Sequence, residues 1–162
     1  MEDLTGNNKF INNSSKIFMN CWKELRKKLI NDLSDQEHLR LVNNFWSKVA
    51  ISVRVIDWDC PETWQDPWQF INDFKFDESS AALGMFYTLL LSEDKRWTTD
   101  RLRLVLAKDP IQSIQRIILE VDKKWILNLE YNRLLDMDVI QKPYSVQRVY
   151  IYDTNSRGFL KK

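Results

Sequence analysis

A single histidine, His38, is all the imidazole this 162-residue chain contains. Serine or cysteine catalysis of the usual kind needs a histidine beside the nucleophile to take its proton. No sequence neighbour of His38 suggests such a pair, and its place among charged residues in a predicted helix reads as a surface side chain. Cysteine is nearly as scarce: Cys21 and Cys60 form no CxxC pair, and with one distant histidine they do not supply the three or four ligands of a zinc site. No metal and no cofactor is therefore expected. Glycine is limited to Gly6, Gly84 and Gly158, so neither GxGxxG nor GxxxxGK[ST] can be written and phosphate-loop chemistry is excluded. No stretch approaches the roughly 18 consecutive apolar residues that span a membrane. The N-terminus, Met1-Glu2-Asp3-Leu4, is polar and acidic, unlike a secretory leader. Reduced thiols in a cytoplasmic compartment are the expectation.

Charge of either sign is also lacking in excess. Twenty-four basic residues face 23 acidic ones, a net charge of +1, which argues against broad electrostatic binding to nucleic acid or anionic lipid. The local exception, Lys23-Glu24-Leu25-Arg26-Lys27-Lys28, lies on a predicted helix and reads as a solvated face. Among the 23 acidic residues, Asp57 with Asp59 and Asp136 with Asp138 are spaced as pairs, and surface solvation accounts for both.

What the chain does have is apolar residues at 44% and seven tryptophans. That composition folds, and the length suits one domain over residues 16–162, preceded by a polar, flexible lead-in at 1–15. Apolar positions Ile17, Phe18, Cys21, Trp22, Leu25, Leu29 and Ile30 give helical spacing from Lys16 to about Asn31. Ser34 and Glu37 form a capping-box signature for a second helix to about Val49, with Leu39, Leu41, Val42, Phe45, Trp46 and Val49 inward. Residues 51–56 could be a short strand or an extended connector. Asp66-Pro67 predicts the start of a short helix, and Asp77-Glu78-Ser79-Ser80 opens a helix that is apolar nearly all round and should be central and buried. Beyond Arg101 the period changes to alternation. Strands are expected at 101–107, 114–121, 125–131 and 146–152, with Asp122-Lys123-Lys124 as a tight hairpin spacer. Helices followed by an antiparallel meander define an α+β fold.

The Pro67 segment carries a resemblance. Trp64-Gln65-Asp66-Pro67-Trp68-Gln69, the buried helix with Leu83 and Tyr87, then Leu102-Arg103-Leu104-Val105, Gln115–Val121 and Trp125–Asn128 follow in the order seen in bacterial transglutaminase-like cysteine peptidases, whose fold is papain-like. In that family a W-x-x-P-x-E loop leads to a Gly-Asp-Cys at the start of a buried helix, and the catalytic histidine and aspartate lie on successive strands. The likeness spans residues 58 to about 130 and is one of order and spacing. Its implied site positions are Ser79 for the cysteine, Gln115 or Arg116 for the histidine and Asn128 for the aspartate, so every catalytic identity is replaced. Neither glutamine nor arginine takes a proton from a serine hydroxyl near neutral pH. The stretch from Pro61-Glu62-Thr63-Trp64 to Leu83-Gly84-Met85 also resembles short proteins of tailed phages of marine bacteria.

These features point to a pseudoenzyme: a non-catalytic binding or structural protein, phage-encoded as a virion component or host-directed accessory, working in the host cytoplasm or the virion. Its expected partner is another protein, met through Trp58, Trp64 and Trp68. Two alternatives stand beside it. One is a hydrolase using unconventional groups, such as Cys60 or Ser79 with a carboxylate, where a Cys60 thiolate would need a positive neighbour such as Arg54. The other is a nucleic-acid-binding accessory protein using the Lys23–Lys28 helix. If the resemblance is set aside, Ser79 reads simply as a helix N-cap.

Overall fold

The computed structural model describes residues 4–49, 56–109, 111, 113–130, 133–138 and 144–162, with side chains from Ser14 onward. The segment read as strand or connector at 51–56 lies, except for Ile56, outside the described residues, as does Arg54. Four α-helices precede six strands: α1 Leu4–Lys28, α2 Asp35–Ser47, α3 Pro67–Asp73, α4 Glu78–Leu90, then β1 Leu102–Lys108, β2 Gln115–Val121, β3 Trp125–Glu130, β4 Arg133–Asp136, β5 Ser145–Asp153 and β6 Gly158–Lys161. The α+β class and the helices-then-sheet order are as the sequence implies.

Helix starts follow their capping signals. Ser34 and Glu37 cap each other reciprocally at α2, as do Asp66 and Gln69 at α3 with Pro67 in the first turn. α4 is capped by Asp77 rather than by Ser79, which sits inside the first turn. The Asp77 carboxylate accepts from the Ser80 amide at 2.6 Å and from the Ile56 amide at 3.0 Å. α1 begins at Leu4 instead of Lys16, so the stretch read as a lead-in has helical backbone from Leu4. Propagating an existing helix fixes one residue per added bond and is far cheaper than nucleating one, so the packed half around Trp22 can carry a polar extension that has no amphipathic pattern.

α4 is the axis of the core. Ten of its residues are buried, from Ser79 to Leu89, and it packs against α2 on one side and β1, β2 and β3 on the other. Trp22 of α1 and Trp46 of α2 both direct their indole N–H to Thr88 Oγ1, at 2.8 and 2.9 Å, and that hydroxyl donates in turn to Gly84 O at 2.5 Å. One hydroxyl thus joins three helices with its full bonding capacity used. Gly84 is required there: a Cβ would fall inside the Trp46 ring. Leu41, expected inward, is 36% exposed.

The sheet is antiparallel with order β4-β3-β2-β1-β5-β6. β1 to β3 form the expected meander, β4 extends it without having been expected, and the strand expected at 146–152 does not continue it. β5 then returns to the free edge of β1, and β6 adds beyond it. Period-2 alternation sends Leu104, Leu106, Ile117, Leu119, Val121 and Leu127 to the helix layer. It sends Val105, Ala107, Ile118 and Ile126 to the outer face, which is also buried. Tyr144 and Met137, at the two ends of the β4–β5 connection, belong to that outer cluster. Beneath Tyr144 lies Glu120, 1% exposed, which accepts from Tyr144 Oη at 2.6 Å and is ion-paired with its cross-strand neighbour Arg103. The β2–β3 turn places Asp122 and Lys123 at φ 55°, a primed-turn geometry that normally recruits Asn or Gly. Arg101 stabilises it by bonding both carboxylate oxygens of Asp122, at 2.8 and 2.6 Å.

Candidate functional site

The first turn of α4 faces the beginning of β2 and the end of β3 across a cavity of about 120 Å³. Its walls include Trp46, Asp77, Glu78, Ala81, Arg116, Asn128 and Glu130. Arg116 and Asn128 meet the start of α4, and each is engaged in structure. Asn128 Nδ2 donates to Glu78 O at 2.7 Å and to Ile117 O at 2.9 Å, while its backbone N–H donates to Asn43 Oδ1 at 3.2 Å. Its φ is +70°, at the point where the β3–β4 register shifts, and asparagine tolerates that left-handed backbone better than most residues. Arg116 Nη1 donates to Leu129 O at 2.9 Å, and its Nε lies 3.9 Å from the Glu78 carboxylate. Gln115 is exposed at the start of β2.

Ser79 is 4% exposed and turned toward the tryptophan loop, where its Oγ accepts the Trp58 indole N–H at 3.0 Å. The loop is pinned on its other side by β5. Tyr150 Oη donates to Trp58 O at 2.6 Å, and Arg148 donates to Trp58 O at 2.9 Å and to Asp59 at 2.8 Å. Trp64 donates to Asp57 O at 2.7 Å and packs on Tyr150 and Phe159, with centroids 4.6 and 5.4 Å away. Trp58 and Trp64 are half-buried parts of this clamp; Trp68, on α3, is the exposed member of the three, at 45%.

No imidazole reaches this end of α4. His38, read as a surface residue, is 0% exposed and sits beside the loop that follows the other end of the helix, about 20 Å away for a helix of 13 residues. Its Nδ1 accepts from Trp97 Nε1 at 3.0 Å and its Nε2–H donates to Ile30 O at 2.8 Å, which fixes a neutral tautomer. Aromatic neighbours far along the chain bury it, which local charge patterning does not reveal. Cys60 is no better placed for nucleophilic work: burial, then the neighbouring Asp57 carboxylate, pushes its thiol pKa above the ordinary value, so the thiolate is disfavoured. The acidic pairs serve turns, with Asp57 accepting from the Asp59 amide at 2.9 Å and Asp136 from the Asp138 amide at 3.0 Å.

Three solved structures of LapG from Legionella pneumophila match the fold of this chain. They are 18% identical to the chain, with TM-scores of 0.69, 0.67 and 0.66 for LapG, its calcium-bound form and its EGTA-treated form. The matches cover 90%, 84% and 96% of this chain and 82%, 75% and 87% of the LapG chains in the same order. The fold is transglutaminase-like. No protein-family model and no curated protein sequence matches the chain. Calcium belongs to that neighbour: among the described residues no group of three or more His, Cys, Asp or Glu side chains is arranged to hold a metal ion. Nor, among them, is any helix long and apolar enough to cross a membrane.

An interior acceptor was the part that sequence reasoning missed. Asn43, 1% exposed, supplies the acceptor that holds Asn128, and nothing in the local pattern of α2 marks it beyond being an amide on an otherwise apolar face.

Proposed function

We propose that this chain is a non-catalytic binding or structural protein, a pseudoenzyme on a transglutaminase-like fold. The observation that carries the reading is the state of the helix start where the resembled peptidases hold their nucleophile. Ser79 is sealed under Trp58, with no imidazole at that end of α4 and with Asn128 bonded to two backbone carbonyls. A serine hydroxyl attacks a carbonyl only when a base removes its proton. Arg116 has no basic lone pair to offer near neutral pH, and Asn128 has no charge with which to stabilise an imidazolium. A tailed-phage setting, as virion component or host-directed accessory, rests on the texture of the Pro61–Met85 stretch alone.

The test is turnover by purified protein, using a fluorogenic protein substrate and a p-nitrophenyl ester. The expected result is no rate above buffer, and the same baseline for Ser79→Ala and Cys60→Ala. Hydrolysis that disappears in either variant overturns the reading.

A further inference from the structure

We infer that Arg26 and Trp68 form the anchor of a docking surface for an acidic segment of a partner protein, the guanidinium taking a carboxylate and the exposed indole taking the apolar side chain beside it. The inference deepens the binding reading by naming its surface and the chemistry of its partner.

Arg26 is a partly buried cation to which the described residues give no anion. Arg96, Arg101, Arg103, Arg116 and Arg148 each meet a carboxylate. Arg26 has no hydrogen bond or ion pair among the described residues, and its buried Nε is without a partner. It is nonetheless held in place: its guanidinium carbon stands 4.1 Å from the Trp22 ring centroid and 5.8 Å from that of Trp68. Trp22 is itself immobilised, fully buried and bonded to Thr88 at 2.8 Å, and Trp68 packs edge-on against it with centroids 5.2 Å apart. Burial alone pulls the Arg26 pKa below the ordinary arginine value, with no acidic neighbour opposing it.

Because Nε is sealed, the donors open to an incoming group are the two Nη nitrogens, presented as a planar pair of the kind that grips a carboxylate in two-point fashion. Stacking orders the side chain before anything binds, which removes part of the usual entropic penalty of complex formation. Trp and Arg are also the residues that most often dominate interface energetics. One ordered cation in a chain of net charge +1 suits one acidic side chain; following a phosphate backbone needs several.

The probes are an acetylated hexapeptide of alternating glutamate and phenylalanine, its lysine-for-glutamate counterpart, and a short oligothymidylate. Binding is read by anisotropy and by the indole resonances of the ¹⁵N-labelled protein. The acidic peptide is expected to bind, to shift the Trp68 indole signal, and to weaken about tenfold or more in Arg26→Gln and in Trp68→Ala. Arg26→Lys, which keeps the charge and loses the planar pair, should recover only part of that loss. Unchanged thermal melts separate lost binding from lost folding, and the Trp68 signal in the unmutated protein does not depend on any variant folding. The inference is overturned if no acidic peptide binds at millimolar concentration, if binding ignores both substitutions, or if oligothymidylate is the ligand that depends on them. None of those results touches the hydrolysis assay, so the two readings fail separately.

Discussion

Thr88→Val removes a hydroxyl without removing volume, and the structure says what that leaves behind. Two indole donors, Trp22 Nε1 and Trp46 Nε1, lose their only acceptor in a place that is 0–1% exposed, where water cannot replace it. An unsatisfied buried donor costs about 1–3 kcal/mol, so the pair costs about 2–6 kcal/mol, minus whatever the rings recover by shifting. Set against a typical total stability of roughly 5–15 kcal/mol, that is a severe loss. At roughly 2–4 °C per kcal/mol for a chain of this size, the melting temperature should fall by roughly 4–24 °C. Thr88→Ser is the control. It keeps the acceptor and deletes one buried methyl, for about 1 kcal/mol of lost transfer energy plus a small cavity cost. Urea unfolding followed by circular dichroism gives both values without relying on the tryptophans being perturbed. If valine proves as well tolerated as serine, the hydroxyl is not the junction of α1, α2 and α4, and the reasoning fails.

Asn128→Asp, which restores the acid that the resembled family carries, should destabilise the fold by about 2 kcal/mol at pH 7, because a carboxylate has no proton to give Glu78 O and Ile117 O and the nearby Arg116 offsets only part of that loss. The ion is disfavoured in the folded state, so its folded pKa rises and the deficit should shrink as pH falls below that value; a deficit in urea unfolding that is equal at pH 4 and pH 7 refutes the clasp. The pH dependence of the native chain has its own marker in Asp35. Burial raises its pKa, but hydrogen bonds and charge from Arg101 and Arg96 outweigh that and leave it below the ordinary carboxylate value. A depressed folded pKa means stability present above the unfolded value of about 3.9 and lost as pH falls through the folded one, so Asp35→Asn should flatten the acid limb of a melting-temperature profile; parallel acid limbs would contradict it.

Much of the architecture was legible because it rests on local, periodic signals. The capping boxes at Ser34, Asp66 and Asp77, Pro67 in a first turn, the all-round apolar α4 and the alternation in β1 and β2 are each decided by residues within one or two turns of themselves. What was not legible depends on distant chain. His38 looks solvated beside Glu37 and Arg40, and is buried by Trp97, which folds back over it from beyond α4. β4 and β6 are four residues each, too short for a period to register, and exist because β3 and β5 offer edges to pair with. The site was half legible. Order and spacing brought Arg116 and Asn128 to the start of α4, but nothing in the sequence said that Trp58 would cap Ser79, or that Trp58 and Trp64 would be fastened to β5 while Trp68 stayed in the open.

On the proposed reading, Ser79, Arg116 and Asn128 stand where the resembled peptidases hold catalytic groups. Ser79 anchors the tryptophan loop, Arg116 holds the Leu129 carbonyl, and Asn128 ties β3 to both α4 and α2. Each has acquired a bonding role that the corresponding catalytic group performs badly: a carboxylate cannot donate to two carbonyls, and an imidazole cannot reproduce the reach of a guanidinium. Reinstating a cysteine, a histidine and an aspartate would therefore remove structural bonds at every step before any step restored turnover, because the three act together or not at all. The Arg26–Trp68 surface stands on α1 and α3 and draws on none of those residues. On the proposed reading, its side chains can change to suit a partner without disturbing the clasp around α4.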